Sequence, residues 1–180
     1  RALAFAAAWL HTEPKQYIVL AAGLDAGAPN GNKTMDNLTF ISKMLAEEPD
    51  LINQIDGWTA HAYANPGFVG SPNDRGKTSI RSFEYELSLL GKYAQRDWPV
   101  YITEAGWKQT PANAKLLPFY YTQAVRNVWS NEKIVAVTPF VFAAKEGPFR
   151  EFAFVNPDGS PSPRYQAWEK LKQEVKLSYR

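Results

Sequence analysis

Trp98-Pro99-Val100-Tyr101-Ile102-Thr103-Glu104-Ala105-Gly106-Trp107 is a short β-type run that ends in a lone carboxylate. A small residue, a glycine and a tryptophan follow it. Placing an acid at the C-terminal tip of a buried strand is costly, so such an acid is expected to have a task. In a barrel of alternating parallel strands and helices, that tip is where chemistry is done.

The segments on either side alternate in the same way. Residues 2–10 read as a helix rich in Ala, Leu, Phe and Trp, and Tyr17-Ile18-Val19-Leu20-Ala21 as a short buried strand. A helix is predicted over 34–47, with Leu38, Ile41 and Leu45 on one face. Gly57-Trp58-Thr59-Ala60-His61 is a second strand, and the Gly-, Pro-, Asn- and Ser-rich stretch 65–76 is a surface loop suited to lie near a ligand. A helix over 79–96 precedes the strand that ends in Glu104. Pro118 starts another helix, 135–142 is a fourth strand, and Asn156-Pro157-Asp158-Gly159 is a turn. Ser162-Pro163 starts the last helix, a hydroxyl N-cap before a proline, with Trp168, Leu171 and Val175 on its apolar face.

This order predicts a parallel sheet with helical crossovers. Strands start roughly 35–40 residues apart, so eight units would need about 300 residues, in the range of a (β/α)₈ barrel. The 180 residues supply about four units, and 1–180 is read as one domain, half of such a barrel. An open doubly wound sheet is the other arrangement, but the chain has no Gly-rich phosphate loop.

Composition narrows the function. The 20 basic and 18 acidic residues leave a net charge of +2, with no basic run to hold nucleic acid. No stretch is long enough to span a bilayer. The absence of cysteine excludes disulfides, thiolate nucleophiles and Cys-ligated zinc. With only His11 and His61, a histidine-rich metal site is not expected, and no cofactor is called for. The chain opens at Arg1 inside a helical pattern and shows no signal-peptide pattern, which leaves the compartment open.

Glu104 is the candidate catalytic carboxylate; its bland role would be an ion pair at the surface. His61 and Tyr63 lie on one side of the second strand and could both reach a ligand or Glu104. A backbone-satisfied histidine and a packed tyrosine would fit the same spacing. Asp25 and Asn30, in a glycine-rich loop, could bind hydroxyls, and both are also ordinary turn formers. After the fourth strand, Phe140, Phe142, Lys145, Glu146, Phe149 and Arg150 crowd one loop. Phe140 is assigned to filling between strands, whereas Phe142, Lys145 and Glu146 are candidate ligand contacts. Trp107 is expected to face the cleft and Trp58 the core. His11-Thr12-Glu13-Pro14 is read as a helix end and not as a second acid, because the few residues before the next strand cannot hold a crossover.

These segments resemble the C-terminal half of a clan A glycoside hydrolase, the retaining (β/α)₈ barrels that include families 5 and 39. Ile102-Thr103-Glu104-Ala105-Gly106-Trp107 is similar to the strand-seven nucleophile segment, and His61-Ala62-Tyr63 to the strand-six His-x-Tyr. Thr138-Pro139-Phe140-Val141-Phe142, the 156–159 turn and Pro163-Arg164-Tyr165-Gln166-Ala167-Trp168 resemble strand eight and the final helix, with residues 17–23 as strand five. The resemblance implies that Glu104 is the nucleophile and that His61 and Tyr63 line the subsite around it. Where the family often has a tryptophan near the end of strand eight, this chain has Phe142.

The resemblance implies cleavage of O-glycosidic bonds in a β-linked polysaccharide or oligosaccharide. The family's acid/base, an Asn-Glu pair ending strand four, would lie upstream of Arg1. Retention needs two carboxyls about 5–5.5 Å apart, so the chain alone is expected to be inactive on ordinary glycosides. Its expected partners are the carbohydrate and the N-terminal half of the barrel, in the same chain or another. Secretion would suit a polysaccharide hydrolase, and the sequence leaves the compartment open. A carbohydrate-binding protein without turnover, or a half-barrel subunit, is the alternative.

Overall fold

The structure is a computed structural model that describes residues 1–178, with side-chain surroundings through residue 171. Val175 therefore lies outside the described side chains. The elements run α1 (Ala2–Leu10), α2 (Asn37–Glu47), α3 (Leu51–Gln54), β1 (Trp58–Tyr63), α4 (Ser82–Leu90), β2 (Val100–Gly106), α5 (Leu117–Asn127), β3 (Ile134–Pro139) and α6 (Pro163–Ser178). A 3₁₀ turn at Arg150–Phe152 precedes α6.

Local chemistry sets several boundaries. Helix α2 starts at Asn37 and not at residue 34, because the Asp36 carboxylate accepts the Leu38 and Thr39 N–H groups as an N-cap. Helix α4 ends at Leu90, capped by Gly91, and the chain then continues in tight turns instead of helix to residue 96. Ser162 Oγ accepts the Tyr165 N–H at 3.3 Å, the cap expected for α6.

The three strands pair in parallel in the order β1-β2-β3. Four strands were expected, and the missing one is 17–21. It touches β1 through isolated bridges only, Leu20 with Gly57 and, further on, Asp25 with His61. Its backbone groups bond to Asp56 and Thr59 and not to a continuous ladder: the Val19 carbonyl accepts the Asp56 N–H at 2.7 Å. The Val19 N–H donates to the Asp56 carboxylate at 2.7 Å, and the Thr59 hydroxyl donates to the Ala21 carbonyl. Tyr17 and Ile18 stay exposed, the latter at 66%.

One face of the sheet is covered by helices. Ala60, Ala62, Val100, Ile102 and Ala105 pack there against Phe83 of α4 and Leu117, Tyr121 and Ala124 of α5, with Trp107 and Trp129 filling between. Each large side chain so buried contributes about 1.5–3 kcal/mol over its exposed state. A second cluster joins Ile41 and Leu45 of α2 to Leu51, Ile55, Trp58 and Trp98. Trp58 is thus a core residue, as expected. The opposite face carries His61, Tyr63 and Glu104. Among the described residues, no helix is long and apolar enough to cross a membrane.

Candidate active site

Strict alternation along β2 would put Glu104 on the same side as Val100 and Ile102, inside the helix layer. The register prevents this. Ala60 is opposite Ile102, but the next residue, His61, is opposite Glu104, so Thr103 is an extra residue on β2. The same step recurs against β3, where Ile102 faces Val137 and Ala105 faces Pro139. Such a bulge re-aims side chains. Here Glu104 turns to the open face beside His61 and Tyr63, while Ala105 and Trp107 return to the helix side with no exposed surface.

The Tyr63 hydroxyl donates to Glu104 Oε2 at 2.8 Å, and His61 Nδ1 stands 3.6 Å from the same oxygen. Burial pushes the Tyr63 hydroxyl far above the ordinary phenol range, and its bond to Glu104 and the charge there add to the shift. Tyr63 therefore remains a donor. About a third of the Glu104 side chain is exposed, which leaves it open to a ligand. Behind His61 the chain requires glycine: a Cβ at Gly23 would lie 2.3 Å from His61 Cδ2 and 2.4 Å from Nε2. Asp25 lies beside His61, its Oδ1 accepting the Gly27 N–H at 2.8 Å.

These groups form one end of a cleft of about 680 Å³. Asp25, His61, Tyr63, Glu104 and Lys108 supply its polar atoms. Phe68, Phe140, Pro148, Phe149 and Phe152 form an apolar wall. Tyr63 joins the two parts, with ring centroids 5.1 Å from Phe68, 6.1 Å from Phe152 and 6.3 Å from Phe140, all edge-to-face. Lys108 pairs with Glu151 at 3.1 Å. Under this rim the buried Arg164 guanidinium donates to the Glu151 carbonyl at 3.2 Å and to Gln109 Oε1 at 2.6 Å, which ties the loops after β2 and β3 together. Among the described residues, no three His, Cys, Asp or Glu side chains converge as a metal would require.

Of the residues singled out from sequence, Glu104, His61, Tyr63 and Asp25 meet in this cleft. Five others do not. Trp107 is fully buried, donates Nε1–H to the Gly70 carbonyl at 2.8 Å and packs on Tyr121, because the bulge restores it to the helix side. Phe142 is 64% exposed and leans on Tyr165, while Phe140, assigned to filling, lines the cleft in its place. Asn30 braces the start of α2: its Oδ1 accepts the Asp36 N–H at 3.0 Å and its Nδ2 donates to Thr39 Oγ1 at 3.2 Å. Lys145 and Glu146 are exposed and stand outside the cleft lining. Phe68, Lys108 and Phe152 were not foreseen. The Gly- and Pro-rich composition around Phe68 was the available signal, and Lys108 directly follows the strand tip.

The α/β fold with its parallel sheet is similar to part of the fold of solved TIM-barrel glycosidases. It superposes on xylanase 10B from Thermotoga petrophila RKU-1 in complex with xylobiose, with a TM-score of 0.59 and 15% identity, covering 97% of this chain and 52% of that one. Native xylanase 10B from Thermotoga maritima gives 0.53 and 15%, covering 99% and 66%. A monomeric beta-xylosidase from Caulobacter crescentus CB15 gives 0.53 and 17%, covering 77% and 32%. The chain thus spans between about a third and two thirds of the length of these structures. No family model and no curated protein sequence matches it.

Proposed function

We propose that residues 1–180 are the C-terminal half of a retaining glycosidase barrel, with the 17–23 segment, β1, β2 and β3 as strands five to eight. Its substrate is a β-linked polysaccharide or oligosaccharide. The observation that carries this reading is Glu104, turned by the β2 bulge into an aromatic-walled cleft and held there by the Tyr63 hydroxyl.

In this mechanism the carboxylate of Glu104 attacks the anomeric carbon. The glycosidic bond breaks, and its oxygen takes a proton from an acid on the other half of the barrel. Water, deprotonated by the same group, then displaces Glu104 and frees the sugar. Tyr63 occupies Oε2 and leaves Oε1 to attack, while His61 lies beside the charge. The phenyl wall offers contact to the carbon-bound hydrogens of a sugar ring. The exposed apolar residues Phe5, Trp9, Ile18 and Val135 support a covering N-terminal half, in the same chain or another.

Glu104→Gln in the intact protein should abolish hydrolysis of aryl β-glycosides and leave the melting temperature unchanged. Retained turnover would remove Glu104 from the mechanism. Sugar binding without turnover by the parent would mark a binding protein instead.

A further inference from the structure

Phe68 holds a backbone angle that glycine ordinarily takes. Its φ is +63°, and that of the preceding Gly67 is +67°. The Val69 N–H reaches back to the Pro66 carbonyl at 3.5 Å, so both lie at the centre of a tight turn. Turns of this hand are dominated by glycine, asparagine and aspartate, and a bulky aromatic there is a true outlier. Residues kept in such a conformation gather at ligand clamps and active sites.

The surroundings hold Phe68 in place. Its carbonyl accepts the Lys108 N–H at 2.9 Å. Its ring meets Tyr63 at 5.1 Å and Phe152 at 5.4 Å, both edge-to-face, and lines the cleft beside the tyrosine that holds Glu104. A glycine or asparagine would make the same turn without strain, so the turn itself gives no reason for a phenyl group.

We infer that Phe68 is a substrate-binding contact: its turn gives up folding stability to hold the ring against the sugar unit that lies over Tyr63. This rests on the glycosidase reading. Its chemistry is the apolar face of a pyranose, which an aromatic ring covers without demanding a particular hydroxyl pattern.

The test uses the intact protein carrying Glu104→Gln, titrated calorimetrically with xylobiose, cellobiose and mannobiose. Adding Phe68→Ala or Phe68→Gly should weaken the best of these sugars about tenfold. The glycine variant should melt above the alanine variant, the reverse of the usual order for a loop, because only glycine relieves the angle. Equal sugar binding by parent and Phe68→Ala would overturn the contact, and a higher melting point for the alanine variant would overturn the strain. A parent that binds none of the three sugars would bring down the glycosidase reading and the contact with it, while the melting order would still report on the turn.

Discussion

Tyr63 donates its hydroxyl to Glu104 Oε2 across 2.8 Å, from β1 to the neighbouring tip of β2. In the mechanism proposed above, the bond fixes which carboxylate oxygen is free to attack. Tyr63→Phe keeps the ring packing on Phe68, Phe140 and Phe152 and removes only the donor. Hydrolysis by the intact protein should fall by about 10²-fold, with only a small change in melting temperature. Because burial holds the proton on Tyr63, no fall in rate at alkaline pH should trace to its ionisation. A pH–rate profile of parent and variant checks both statements, and an unchanged rate would show that the bond positions nothing.

The sequence revealed the strand that carries Glu104, which runs on to Gly106, the His61/Tyr63 pair and most helices, because apolar spacing and caps are local signals. It could not reveal the bulge at Thr103. Simple alternation puts Glu104 with Ile102 on the helix side and Trp107 on the opposite face, and the extra residue reverses both. Phe140 and Phe142 changed places for a related reason: β3 ends at Pro139, so strand parity no longer governs the residues beyond it. The 17–21 run is apolar enough for a strand, yet its hydrogen bonds go to Asp56 and Thr59, partners distant in sequence. Phe68 sits in a loop, where its role depends on an angle that composition does not encode.

Gly23 makes room for the His61 ring. Gly23→Ala puts a methyl group within 2.4 Å of Nε2, so the imidazole must move away from Glu104 or the 17–25 segment must lift. The expected cost is about 1–3 kcal/mol of stability, together with a loss of activity. In a His61→Ala background only Thr103 Oγ1, at 3.1 Å, still crowds the methyl, and most of the stability cost should vanish. Thermal unfolding of the two single variants and the double variant gives the coupling directly. Additive costs would mean that the clash is relieved elsewhere.

The phenyl wall predicts a contrast between two residues that look alike in sequence. Phe140 lines the cleft and meets Phe149 and Phe152 edge-to-face, so Phe140→Ala should weaken sugar binding and lower stability. Phe142 is mostly exposed and touches Tyr165, so Phe142→Ala should leave binding unchanged and cost less than about 1 kcal/mol. Calorimetric titration of the two variants with the same sugar compares them. Equal losses would place Phe142 in the ligand path.

Glu86 lies away from the cleft, buried between α2, β1 and α4. Its oxygens accept the Trp58 Nε1–H and an Asn37 Nδ2–H, each at 2.7 Å. Burial pushes its carboxyl up to about 7 from an ordinary 4.5, and the two hydrogen bonds only partly offset this. A group whose pKa is raised on folding gives its full stabilisation below the unfolded value and loses it as pH rises through the folded one. Stability should therefore decline between about pH 4.5 and 7 and level off above, by ~3 kcal/mol in all. Glu86→Gln removes the titration. Its amide carbonyl still accepts from Trp58, and its N–H₂ can donate to Asn37 Oδ1, a buried acceptor without a partner, once that amide turns over. Relative to the variant, the parent's melting temperature should fall across this window, with the variant the more stable by about pH 8. A constant difference between the two across the window would mean that folding does not raise the pKa of Glu86.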